Sequence, residues 1–276
     1  MPELPEVEAI ARTLAPMVEG QAIERCRVIH PIAAAGISGK GKAAAAKKLE
    51  ERLTGRKIER VVRRGKYLIL TFDRGHAVMH FKFDGQFIWF DTRETSGHVD
   101  VALETEQGTL GFVDPRHLGR VQWVERWEEI PGLRKMGVEP LGAEFTAARL
   151  YELAKKSKKA VKIFLLDQDK IAGVGNIYSS EALWRAQIHP RRPARKLSGE
   201  DAKRLHKGIV GVLGDALNCC LHPAPNFRDP NWWFQGIEKI LRVYQREGKK
   251  CRRCGQAIRR IELGGRGTYF CPGCQK

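Results

Sequence analysis

No apolar run in the sequence approaches the roughly 20 residues needed to cross a bilayer as a helix, and the start does not have the form of a secretory signal. A cytosolic, reducing compartment is therefore expected. Seven cysteines, an odd number, then read as metal ligands plus spares rather than as a disulfide framework. Cys26, Cys219 and Cys220 lack partner spacing and are expected to be small buried apolar side chains. Nothing repeats at a fixed period, which excludes a solenoid. Acidic side chains are also in short supply, 32 Asp and Glu against 49 Lys and Arg.

That imbalance leaves a formal charge of +17 and a pI near 9.8. Such an excess attracts polyanions and makes their binding depend on salt. The basic residues come in runs: Arg63-Arg64-Gly65-Lys66, Lys155-Lys156-Ser157-Lys158-Lys159, Arg191-Arg192 through Lys196, and Lys249-Lys250-Cys251-Arg252-Arg253. One such run is ordinarily a solvated face. Several on one chain point to nucleic acid.

At 276 residues the chain is long enough for two domains with their own cores. Val7, Ile10, Leu14 and Met17 have helical spacing across 6–18, with Pro16 and Gly20 as stop signals. Alternating apolar residues then predict strands at 22–29, 58–62, 67–72, 77–83, 87–90, 98–103, 109–113 and 121–124, separated by Gly and Asp turns. Many short strands suggest a sandwich or flattened barrel. Residues 33–50, rich in Ala, Gly and Lys, read as a flexible loop running into a short helix. Residues 127–142 carry Pro and Gly punctuation and read as a hinge. Beyond it the period is helical, at 146–155, 161–167, 179–186 and 199–218, with a glycine-rich turn, Ile171 to Tyr178, between two of the helices.

Near the end, Cys251-x-x-Cys254 and Cys271-x-x-Cys274 are separated by sixteen residues, a spacing expected of a structural Zn²⁺ site. The intervening residues fit a β-hairpin. Residues 245–276 hold nine Lys or Arg against two acidic side chains, so even with the metal and four thiolates counted the module keeps a charge of about +5. It is expected to touch phosphate.

The amino terminus offers reactive chemistry. A chain starting Met-Pro is normally trimmed to leave Pro2 first, and its secondary amine, titrating near pH 8, is partly unprotonated at neutral pH. Such an amine can attack electrophilic carbon and form a Schiff base, while the neighbouring Glu3 suits proton transfer. The plainer reading is a helix start, where proline and acidic residues are favoured.

Pro2-Glu3-Leu4-Pro5-Glu6-Val7-Glu8 resembles the opening of the formamidopyrimidine-DNA glycosylase and endonuclease VIII family of base-excision repair enzymes. Three further motifs resemble that family in order: Lys66 in Arg64-Gly65-Lys66-Tyr67-Leu68, Asn176 in Gly173-Val174-Gly175-Asn176-Ile177-Tyr178, and Arg266 on the zinc hairpin. The resemblance implies an N-terminal β-sandwich with a leading helix (1–126), a hinge (127–142), a helix-two-turns-helix domain (143–236) and a four-cysteine zinc finger (237–276). It also implies that Pro2 is the nucleophile and Glu3 the proton donor and acceptor. Lys66, Asn176 and Arg266 would grip backbone phosphate, with Tyr178 among the DNA contacts and Glu6 in support. A base inside the stack hides its sugar, so it must be flipped out. By the same resemblance Phe83, Arg116 and Leu118 would plug the gap, although the family pattern is Met, Arg and Phe, so Phe83 and Leu118 depart from it. The implied partner is double-stranded DNA with damaged bases or abasic sites, bound by a monomer working in a bacterial-type cytoplasm at the nucleoid. Zn²⁺ would be structural, one per chain.

Residues 221–236 depart further, being unlike the glycine- and threonine-rich loop that covers the lesion base in 8-oxoguanine readers. Trp232 and Trp233 offer stacking surfaces, but tryptophans after a proline more often anchor a loop to the core. Oxidised purines remain the expected lesions. The alternatives are an endonuclease VIII-like preference for oxidised pyrimidines, a non-catalytic zinc-ribbon protein that binds nucleic acid by charge, and a small-molecule enzyme with a terminal proline base.

Overall fold

The computed structural model describes residues 2–35, 41–232 and 234–276. They form two units: Pro2, Glu6–Arg134 and Pro223–Phe234 in the first, and Glu3–Pro5, Lys135–His222 and Gln235–Lys276 in the second.

The first unit carries most of helix α1 (Leu4–Val18), whose Val7, Ile10 and Leu14 are fully buried. The helix continues past Pro16, the expected stop, for two residues, because the missing proline N–H costs one bond near an end that is already fraying. Strands β1 (Arg25–Val28), β2 (Ile58–Arg64), β3 (Tyr67–Phe72), β4 (His76–His80), β5 (Gln86–Phe90), β6 (Val99–Thr105), β7 (Gly108–Val113) and β8 (Arg120–Val124) follow, with helix α2 (Lys42–Leu53) between β1 and β2. They make two four-stranded antiparallel sheets, ordered β1-β6-β7-β5 and β2-β3-β4-β8. Phe81, just after β4 of one sheet, meets Phe87 and Phe112 of the other at ring distances of 5.4 and 5.8 Å. This is the sandwich core that the alternation predicts. α2 is a twelve-residue helix seated on Ala46, Leu49 and Leu53, while residues 36–40, part of the expected loop, lie outside the described residues.

Within the expected hinge, a short 3₁₀ turn (Trp127–Glu129) and helix α3 (Pro131–Arg134) close the first unit. Helices α4 (Ala147–Lys155), α5 (Val161–Leu166), α6 (Asn176–Ala186) and α7 (Gly199–Leu221) build the second around Leu150, Phe164, Tyr178, Leu183, Leu205 and Leu213, all at most 1 % exposed. α7 begins on a capping box, with Ser198 and Asp201 exchanging bonds, as the serine and third-residue acid predict. Gly208 lets α7 approach α6, because a Cβ there would lie 2.8 Å from the Ala182 carbonyl. After the short helix α8 (Ile237–Ile240), β9 (Arg259–Leu263) and β10 (Arg266–Phe270) pair through a Gly264-Gly265 turn with both residues at positive φ. Cys26 and Cys220 are buried as expected, but Cys219 is half-buried, its thiol facing the Gln235 carbonyl. Among the described residues no helix is long and apolar enough to cross a membrane.

Candidate catalytic terminus and nucleic-acid interface

The glycine-rich turn before α6 leaves its first amides without intrahelical partners, and its cap residue, Gly175, has no side chain to satisfy them. Glu3 does so from the other end of the sequence. Its carboxyl, 1 % exposed, accepts from the N–H groups of Gly175 and Ile177 at 3.0 Å and of Tyr178 at 3.4 Å. A Cβ on Gly175 would stand 2.3 Å from the Glu3 carboxyl carbon, and one on Gly173, at φ +75, would strike Leu4. Both glycines therefore make room for the amino-terminal strand of chain. These amides are taken by the protein's own Glu3 carboxyl group. The side chain of Tyr178 is 0 % exposed and packs in the helical core.

Asn176 opens α6, and its amide donates to the Gly267 carbonyl at 3.0 Å, next to Arg266. Two expected phosphate ligands thus come together, and Arg266 is exposed at the start of β10. Below them Lys162 is buried at 0 % exposure, donating to the Asn176 carbonyl and the Ser180 hydroxyl at 2.8 and 2.6 Å. Burial pulls its pKa down to about 7 against the opposing charges of Glu3 and Glu181. Glu181, also buried, accepts three amides, those of Arg242, Val243 and Tyr244, and so fastens the approach to the zinc module. Burial raises its pKa.

The four cysteine sulfurs lie within 4.8 Å of one another, with Cys251 to Cys274 at 3.8 Å and Cys254 to Cys271 at 3.4 Å. Tetrahedral zinc with sulfur bonds of about 2.3 Å requires separations of about 3.8 Å, so the donors fit the ion. The Trp184 indole N–H and the Arg253 amide point at the Cys251 sulfur, as donors to a thiolate should.

In the first unit Lys66 is half-buried in the two-residue turn between β2 and β3, after Gly65 at φ 57. His80 on β4 is pushed down to about 3 by burial and by the charges of Lys82 and Lys66, so it stays neutral there. Asp114, fully buried, shapes the β7–β8 loop by accepting the amides of Arg116, Leu118 and Gly119. The loop thereby presents Arg116 5.4 Å from the Phe83 ring and paired with Asp84. Phe83 and Leu118 are 43 and 39 % exposed, so neither is a core residue. Glu6 is buried on α1.

The segment 223–234 lies on β5. The Trp89 amide donates to the Phe227 carbonyl, the Trp232 indole donates to the Phe87 carbonyl, both at 2.7 Å, and Phe227, Trp232 and Phe234 are buried edge to face. Trp232 is an anchor, as expected; Trp233 lies outside the described residues.

Models of the formamidopyrimidine-DNA glycosylase N-terminal domain, the formamidopyrimidine-DNA glycosylase H2TH domain and the zinc finger found in FPG and IleRS match residues 1–121, 136–220 and 248–276. The formamidopyrimidine-DNA glycosylase of Desulfitobacterium hafniense is 37 % identical over 279 aligned positions, with both chains covered in full. The chain belongs to the formamidopyrimidine-DNA glycosylase family. Among solved structures, a Lactococcus lactis FPG mutant with Fapy-dG-containing DNA matches at TM-score 0.87 and 32 % identity, and the Lactococcus lactis Fpg with abasic-site DNA at 0.87 and 31 %, again over the full length of both chains. The zinc of this glycosylase-family chain is structural, because four thiolates fill its coordination. Lys162, Glu181 and Asp114 were not singled out from sequence. The one signal for Lys162 is a lysine inside the apolar run Val161 to Leu166.

Proposed function

We propose that the chain is a bifunctional DNA glycosylase and AP lyase of base-excision repair, acting in the cytoplasm on nucleoid DNA. The reading rests most heavily on Glu3, whose carboxyl is fixed by three amides, of the cap residue Gly175 and of Ile177 and Tyr178 in α6, immediately beside Pro2 in the chain. With Met1 removed, the Pro2 nitrogen lone pair forms a bond to C1′ of an extruded nucleotide. The glycosidic bond breaks with its electron pair leaving on the base, which takes up a proton. Glu3 takes the proton that the Pro2 nitrogen sheds on forming this bond and passes it to the sugar ring oxygen as the C1′–O4′ bond opens, giving an iminium. That cation acidifies the 2′ hydrogen, which leaves as a proton while the 3′ phosphate departs. Lys66, Asn176 and Arg266 hold backbone phosphate, Phe83, Arg116 and Leu118 fill the space the base vacates, and Glu6 supports the site. Residues 1–126 form the catalytic domain, 127–142 the hinge, 143–236 the DNA-binding domain and 237–276 the zinc finger, with 223–234 acting as a strap on β5.

The substrates are oxidised purines. A segment held by three buried aromatics has little freedom to close around a rigid bicyclic base, which favours ring-opened formamidopyrimidines over 8-oxoguanine. One buried polar group left unpaired costs about 1–3 kcal/mol, roughly ten- to hundredfold in rate. Single-turnover excision from duplexes carrying a formamidopyrimidine, 8-oxoguanine or thymine glycol tests this. The expected order is the order just given. Fastest release of thymine glycol would overturn the purine assignment, and no strand cleavage with any of them would overturn the enzyme.

A further inference from the structure

A second cluster of metal-binding side chains stands in the first unit, apart from the cysteines. His30 follows β1, Asp100 lies in β6, and His117 lies in the β7–β8 loop. Three separate stretches of sequence therefore converge, and one ligand atom from each lies within 4.8 Å of the others. His30 is placed by its own amide, which donates to the Asp100 carbonyl at 3.1 Å. His117 is held at φ 51, in the left-handed region, with its Nδ1 2.6 Å from Asp100 Oδ1. The two imidazole centroids are 4.2 Å apart.

Asp100 makes the cluster more than a hydrogen-bonded pair. Its side chain is 0 % exposed, yet Oδ2 is buried without any hydrogen-bond partner. A buried carboxylate oxygen left unpaired is costly. The fully buried Asp114 carboxyl is close enough for its charge to act on Asp100, so two acids share the region. The guanidinium of Arg120 is committed elsewhere, donating to the His117 and Gly119 carbonyls.

We propose that His30, Asp100 and His117 form a second metal site for one first-row divalent cation, with Zn²⁺ the best match. Two imidazoles and one carboxylate suit zinc in a site that keeps a fourth position for water. On binding, the cation replaces the proton shared between His117 and Asp100, which is released to solvent. With ligand bonds of about 2.0–2.1 Å that pair opens to about 3.3 Å, a shift within reach of a loop side chain. The bound ion ties β6 and the chain after β1 to the loop that presents Arg116 and Leu118, so metal loading stiffens that loop.

Cobalt distinguishes the two sites. In protein holding zinc at its four cysteines, added Co²⁺ is expected to bind as one further equivalent without the intense sulfur-to-metal charge-transfer absorption of a thiolate site. His30→Ala and His117→Asn, the latter because asparagine tolerates the left-handed backbone, should each weaken that equivalent by more than about tenfold. Both variants should retain one tightly held zinc, which checks that they fold. Wild-type protein that takes up no second equivalent, or a second equivalent that survives in both variants, would overturn the site and leave His117 and Asp100 as a hydrogen-bonded pair only.

Discussion

Removing the Glu3 carboxyl group would leave the amides of Gly175, Ile177 and Tyr178 with a weaker acceptor or none, at a buried position. Glu3→Gln keeps the shape but turns an amide group toward those N–H donors. It is expected to cost about 1–3 kcal/mol in urea unfolding and to reduce base excision by roughly a hundredfold or more; unchanged excision would remove Glu3 from the chemistry. Lys162 gives a pH signature. Its pKa is depressed in the folded chain to about 7 from the ordinary 10.5, so between those values the unfolded chain binds more protons and stability rises with pH. Below about pH 7 the cost of burying the charge is fully present. Wild-type protein should therefore gain stability relative to Lys162→Met between pH 7 and 9, as read by denaturant midpoints. A constant difference would mean that the lysine is not held as described. Sequence periodicity can flag a lysine in an apolar helix but cannot reveal the carbonyl and hydroxyl that receive it.

At the scale of elements, β3 has the bounds that alternation predicts, because both of its faces and both of its turns are local properties. Helix α6 starts at Asn176, three residues before the predicted 179, since the group that caps it arrives from residue 3. No local pattern carries that information. The same contrast applies to the segment 223–234, where composition signalled a departure and only the fold shows it docked on β5. Phe227→Ala should destabilise by about 3–5 kcal/mol and, by loosening the segment, narrow the difference between formamidopyrimidine and 8-oxoguanine excision. An unchanged ratio in single-turnover assays would separate the segment from lesion choice. For the zinc module, metal binding and folding are coupled. Chelation or Cys254→Ser should lose the hairpin carrying Arg266 and with it DNA affinity, measured by fluorescence anisotropy; zinc-free protein that binds and cuts abasic DNA at the holo rate would contradict the role given to the hairpin.

Across the whole molecule, the charge of +17 favours binding of polyanions, while the proposed chemistry is assigned to a few positions at the start of the chain. Arg266→Ala should reduce the slope of log affinity against log salt by about one without changing which sequences are bound. The zinc spacing, the basic runs and the succession of sheet and helix were legible because each is written in contiguous residues. The tie from Glu3 to α6 and the Asp114-built loop were not, because they depend on partners distant in sequence or on a carboxylate turning back on its own turn. The most direct measurement reduces the enzyme with borohydride on DNA containing an abasic site and locates the adduct by peptide mass spectrometry. The expected result is a covalent link to the Pro2 nitrogen, lost when Met1 is retained or Pro2 is replaced by glycine. An adduct of equal yield on an internal lysine would contradict the assignment.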